Sequence, residues 1–212
     1  MNQKQKLLGY YNYTVILTYI GMITGFAGII NAFGGNIFGS IICLMAAGFC
    51  DMFDGAVAST MTRTNREKSF GIQIDSLSDL ICFGVLPAVI VYNLNSNRLF
   101  VMAVCSLYVL CALIRLAYFN VDEQERQENS TGRREVYYGL PVTLSALFLP
   151  LAHGADSLLY KRPLAATSAL MLMSVLFLLP FPLRKPRLAG KILVIMCGIL
   201  EIGFVVLTFN GV

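Results

Sequence analysis

The chain has 212 residues, of which 57% are hydrophobic and only 13% charged, with a formal net charge of +4. A soluble domain of this length carries about a quarter charged residues, so the composition excludes a soluble enzyme and indicates a membrane protein. The small positive excess is spent on membrane topology, as shown below, and implies no nucleic-acid partner.

In chain order, MNQKQKLLGY (1–10) carries two lysines and no small-residue cleavage site, and reads as a retained cytoplasmic N-terminus. Seven apolar segments follow, at about 14–33, 36–58, 72–94, 98–119, 139–157, 164–182 and 188–208. Each is near the ~20 residues needed to cross a hydrocarbon core about 30 Å thick. Pro180, Pro182 and Pro186 interrupt the last pair. The expectation is an all-α polytopic transmembrane helical bundle of six to seven spans, forming one domain over residues 1–212.

The basic residues orient it. With the N-terminus inside, one side collects Lys4, Lys6, Arg63, Arg66, Lys68, Arg126, Arg133, Arg134, Arg184, Lys185, Arg187 and Lys191. The other side holds Arg98, Lys161 and Arg162. That bias predicts a cytoplasmic location for the first side. The stretches 62–69 (TRTNREKS) and 122–128 read as polar loops on it. Cys43, Cys50, Cys82, Cys105, Cys111 and Cys197 all fall in or beside apolar runs without a CxxC pair, which predicts free thiols.

Four of the twelve acidic residues, Asp51, Asp54, Asp75 and Asp79, belong to the second and third segments or their margins. An acid in a span costs a few kcal/mol on insertion scales and so marks function. The i, i+3 and i, i+4 spacings put each pair on one helical face, and topology brings both pairs to the cytoplasmic end. Converging carboxylates with no interleaved cation repel one another. A bound divalent ion or two removes that conflict, and an all-oxygen site suits Mg²⁺, Mn²⁺ or Ca²⁺. Gly55, Ala58 and Gly71 keep bulk away from the acids and leave room for a phosphate or nucleotide. The rival reading is a proton or cation path through a non-enzymatic transporter.

Other residues divide between structure and function. Arg115 is the one basic residue within a span; it either snorkels or, helped by Asn120, pairs with a carboxylate or substrate anion. Tyr137 and Tyr138 fit interfacial aromatics as well as site residues. Gly139 and Pro141 shape the entry of the fifth segment. His153, the single histidine, falls far from the acids and reads as structural. Gly21 and Gly25 form a GxxxG suited to helix packing. Glu201, in the last segment, has no partner that the sequence identifies.

The stretches DMFDGAVAS (51–59) and GIQIDSLSD (71–79) resemble the signature of CDP-alcohol phosphatidyltransferases, at Asp51, Asp54, Gly55, Ala58, Gly71, Asp75 and Asp79. Two features depart from it. Ser59 stands where the family has arginine, and twelve residues separate Ala58 from Gly71 where the pattern has nine. Arg63, one helical turn beyond Ser59, is the candidate replacement cation. YNYTVILT (11–18), DSLSDLICFGVLPA (75–88), RLAYFNV (115–121) and YYGLPVT (137–143) are similar to the phosphatidylserine synthase branch, so the resemblance covers roughly residues 11–143.

The resemblance implies transfer of a phosphatidyl group from CDP-diacylglycerol to L-serine, giving phosphatidylserine and CMP. It implies two Mg²⁺ or Mn²⁺ ions on Asp51, Asp54, Asp75 and a shared Asp79, with Asp79 the general base. Gly55, Ala58, Ser59, Arg63, Gly71, Arg115 and Asn120 are the candidate substrate-binding residues, membrane lipid is the setting, and a homodimer is expected. Glycerol 3-phosphate or inositol phosphate is the alternative acceptor. Either should require a denser basic pocket than one arginine within a span provides.

Overall fold

The computed structural model describes residues 8–95, 98–129, 136–160, 162–184 and 188–210. Lys4, Lys6, Arg133, Arg134, Lys161, Lys185 and Arg187, used above for orientation, lie outside them.

The described chain is an all-α bundle. Helix α1 spans Tyr13–Phe33, α2 Ile37–Ala58 and α3 Asn65–Asp79. A π-helical turn, Leu80–Val85, joins α3 without a break to α4, Leu86–Leu94. Then come α5 (Arg98–Asn129), α6 (Ser145–Ala155), α7 (Leu164–Leu178) and α8 (Leu188–Asn210). Two three-residue strands, β1 (Val136–Tyr138) and β2 (Pro182–Arg184), pair antiparallel with Tyr137 opposite Leu183. Among the described residues, five helical segments are long and apolar enough to cross a membrane: 13–33, 37–58, 65–94, 98–126 and 142–159. Two shorter apolar helices, Leu164–Leu178 and Met196–Leu207, accompany them.

The apolar segments are where the sequence placed them, but several ends differ for identifiable reasons. The expected loop at 62–69 is helix from Asn65 onward. Thr64 caps α3 by accepting from the Glu67 N–H at 3.3 Å, while Glu67 Oε2 accepts from the Thr64 N–H at 2.8 Å. This capping box supplies the orphan donors of the first turn. The expected loop at 122–128 is also helix, because α5 runs on to Asn129 and Arg126 pairs with Glu123 one turn before it. The segment expected over 164–182 ends at Leu178. Pro180 and Pro182 cannot continue it, and the chain turns into β2 instead.

Glycines set how closely the first helices approach. A Cβ on Gly28 would stand 2.9 Å from both Cys43 Cβ and Leu86 Cδ2, and one on Gly25 would collide with Cys82 Sγ. Small residues are what lets helices pack in lipid, where burial from water gives no drive. Outward, Ile23, Phe26, Ile30 and Phe33 of α1 are exposed, as suits a face against lipid tails. Inward, Ile41, Leu44, Phe83, Leu86, Ile90, Tyr108, Leu149, Leu170 and Phe177 are at most 2% exposed. That core lies below the end of the bundle where α2 stops and α3 starts.

Candidate active site

The last two turns of α2 carry Asp51 and Asp54, and the last two turns of α3 carry Asp75 and Asp79. One ligand oxygen from each of Asp51, Asp54 and Asp75 lies within 4.8 Å of the other two. Asp79 follows Asp75 by one turn on α3, and its carboxylate interacts electrostatically with those of Asp51, Asp75 and Asp54. Oxygen ligands sit about 2.1 Å from Mg²⁺, so two of them on one ion are at most about 4.2 Å apart. Small side-chain rotations would therefore close this set around a dication. The donor set, three half-buried carboxylates with a fourth alongside, fits Mg²⁺ or Mn²⁺.

Helix α1 holds the two acid-bearing helices together. Thr18 Oγ1 donates to Asp54 Oδ2 at 3.3 Å, and the Thr18 carbonyl accepts from Ser78 Oγ at 3.5 Å. Cys82 Sγ reaches the Gly21 carbonyl at 3.5 Å. On the other flank of α3, Ser76 Oγ donates to Asn120 Oδ1 at 2.6 Å and Asn120 Nδ2 donates to Gln73 Oε1 at 3.3 Å. Asn120 thus ties α5 to the helix bearing Asp75 and Asp79. Thr18, Ser76, Ser78 and Gln73 were not singled out from the sequence. Their signal was a polar side chain beside or within an apolar run, which is weaker than a charge.

The remaining candidates take different positions. A Cβ on Gly55 would meet nothing within 4 Å, so the helix surface beside Asp54 is open. A Cβ on Gly71 would stand 3.1 Å from Arg63 Nη1. The Arg63 guanidinium therefore lies against α3 one turn before Asp75, in space that a larger residue would occupy. Ala58 ends α2, and Ser59 turns its hydroxyl back onto the Ala56 carbonyl at 2.7 Å. Arg115, 7% exposed, stacks near Phe119, with its guanidinium carbon 5.7 Å from the ring centroid. Its Nε would lie 3.4 Å from a Cβ on Gly139. Gly139 has φ +76°, a conformation costly for other residues, and its N–H bonds the Phe181 carbonyl at 2.9 Å. Arg115 is thereby brought to the turn between β1 and α6.

His153 is buried on α6 and Glu201 on α8. All six cysteines are free thiols.

The sequence pattern of one family, CDP-alcohol phosphatidyltransferase, matches residues 11–209. The chain belongs to that family. Among its relatives, the CDP-diacylglycerol–serine O-phosphatidyltransferase of Saccharomyces cerevisiae is 37% identical over 147 residues, 64% of this chain and 52% of that protein. The archaetidylserine synthase of Methanothermobacter thermautotrophicus is 30% identical over 191 residues, 90% of this chain and 76% of that protein. A CDP-diacylglycerol–serine O-phosphatidyltransferase of Bacillus subtilis is 28% identical over 141 residues, 65% of this chain and 73% of that protein. The match thus spans about half the length of the yeast relative. Within this CDP-alcohol phosphatidyltransferase, the carboxylates of α2 and α3 and the Arg63 guanidinium against Gly71 all fall inside the matched residues.

Proposed function

We propose that this CDP-alcohol phosphatidyltransferase moves the phosphatidyl group of CDP-diacylglycerol to L-serine, releasing CMP, at the cytoplasmic face of the membrane. The carrying observation is the meeting of Asp51, Asp54 and Asp75 from two helices at one end of the bundle. The serine acceptor rests on the names of the yeast, archaeal and Bacillus relatives. The cytoplasmic orientation rests on the distribution of lysine and arginine.

Asp51, Asp54 and Asp75, with Asp79 shared, would hold two Mg²⁺ or Mn²⁺ ions. Bound there, such ions supply charge neutralisation to the pyrophosphate and to the departing CMP. The chain's own residues do the rest. Asp79 takes the proton of the serine hydroxyl. The serine oxygen attacks the phosphorus that carries diacylglycerol, and the bond from that phosphorus to the CMP oxygen breaks in line. Thr18 orients Asp54 for its part. Gly55, Ala58 and Ser59 leave the α2 side open to the nucleotide, and Arg63, lying against Gly71, contacts its phosphates. Arg115 and Asn120 bound the α5 side as the residues for a substrate anion. The chain works as a homodimer in membrane lipid.

The deciding experiment supplies purified protein with CDP-diacylglycerol and Mg²⁺, and offers labelled serine, glycerol 3-phosphate and inositol phosphate separately. An ether-linked CDP-lipid runs in parallel, since one relative is named for archaetidylserine. Label entering lipid with serine alone is the expected result. Transfer to one of the phosphate acceptors instead would reassign the acceptor, and no CMP release with any of them would reject the enzyme reading.

A further inference from the structure

Pro87 lies where α4 leaves the π-helical turn, with no N–H to give. The Leu86 N–H bonds the Ile81 carbonyl, five residues back, so the backbone here runs in π register, and Pro87 has no N–H with which to extend it. Phe83 is 1% exposed in an apolar interior. Where a membrane helix departs from α geometry in such surroundings, neighbouring hydroxyls bond the displaced backbone carbonyls. Here two do so. Tyr108 Oη of α5 donates to the Phe83 carbonyl at 2.7 Å, and Ser145 Oγ, the first residue of α6, reaches it at 3.3 Å. Both side chains are 0% exposed. One backbone oxygen thus joins three helices.

Its location gives this joint a consequence. Phe83 is one helical turn beyond Asp79, and the π-helical turn begins at the next residue, Leu80. A π-turn holds one extra residue and rotates whatever lies on either side. Below it, Leu86, Ile90 and Val91 face the core; above it, Asp75 and Asp79 face α2. The direction of Asp79 therefore depends on how the turn is held. We propose that Tyr108 and Ser145 are positioning residues, whose shared hydrogen bonds to the Phe83 carbonyl fix the π-turn and thereby aim Asp79. This inference rests on the reading of Asp79 as the base of the transfer. It adds a set of determinants in α5 and α6 that touch no substrate.

The variants are Tyr108→Phe, Ser145→Ala and the pair. Tyr108→Phe removes one oxygen and leaves the ring, whose centroid lies 5.4 Å from that of Phe177. Misaiming a reacting group through a remote change costs up to about 100-fold in rate, so kcat should fall about tenfold in Tyr108→Phe and further in the pair. KM for CDP-diacylglycerol and Mn²⁺ binding, measured by electron paramagnetic resonance, should stay within about threefold, because a misaimed base lowers kcat without weakening ground-state binding. Backbone amide exchange over residues 80–86 should quicken in Tyr108→Phe and quicken further in the pair.

Unchanged kcat in the paired variant would overturn the proposal. So would an equal fall in kcat, Mn²⁺ binding and melting temperature, since that is a merely structural role. Should the wild-type protein release no CMP with any acceptor, the transfer reading fails separately. Amide exchange then decides the joint alone, and unchanged exchange over 80–86 in the paired variant would overturn it.

Discussion

The continuous helix from Asn65 to Leu94 has two halves of opposite character. From Asn65 to Asp79 the only buried residues are two serines, Ser76 and Ser78. From Cys82 to Val91 nearly every residue is buried, and Leu86, Ile90 and Val91 are fully so. One half packs against neighbours for stability. The other keeps carboxylates half-exposed and leaves the α2 surface at Gly55 open. Stability and chemistry are thus segregated along one rod, with the π-turn between them. A site that must admit a lipid headgroup and a water-soluble alcohol cannot be filled as a core is filled.

Opposite perturbations should pull the halves apart. Chelating divalent ions should abolish turnover while leaving the melting temperature of the apolar half nearly unchanged; full activity in excess chelator would break the comparison. Ile90→Ala should do the reverse. Truncating a buried isoleucine costs about 2–5 kcal/mol of stability, yet kcat per folded molecule should stay within about twofold of wild type. A large kcat loss in Ile90→Ala would mean that the halves are not separable.

A smaller effect is expected within the polar half. Arg63→Ala removes the guanidinium lying against Gly71, and should raise KM for CDP-diacylglycerol by about tenfold, the order of one charge-assisted hydrogen bond. KM for serine should change little. Lipid-substrate dependence identical to wild type would assign the phosphate contact to another cation, Arg66 or Lys68.

Much of this was legible in the sequence. Apolar runs separated by polar stretches define the rods because lipid tolerates little else, and four aspartates stand out because each is costly in such a setting. Helix ends were less legible, since hydropathy reports the part of a helix in lipid and not the part that continues into water. Thr64 and Glu67 carried the true start of α3 as a capping box inside a stretch that looked like a basic loop. The β1–β2 ribbon left no periodic signal at three residues per strand. Arg63 was named as the replacement cation from the family resemblance and a helical turn beyond Ser59, but α2 ends at Ala58, and the placement of Arg63 against Gly71 needed coordinates. Tyr108 was invisible for a different reason. An aromatic in an apolar run reads as core, and only its partner, the Phe83 carbonyl inside the π-turn, shows that the hydroxyl has a task.

The most direct test of the central claim separates the base from the ligands. Asp79→Asn and Asp54→Asn are compared at saturating Mg²⁺ for CDP-diacylglycerol binding and for single-turnover rate of transfer to serine. Asp79→Asn should keep lipid-substrate binding and lose about 10²- to 10⁴-fold in rate, the usual worth of a positioned general base. Asp54→Asn should lose metal and nucleotide binding together, because a neutral amide is a poor ligand for a hard dication. A near-normal rate in Asp79→Asn, or equal loss of nucleotide binding in both variants, would contradict the account.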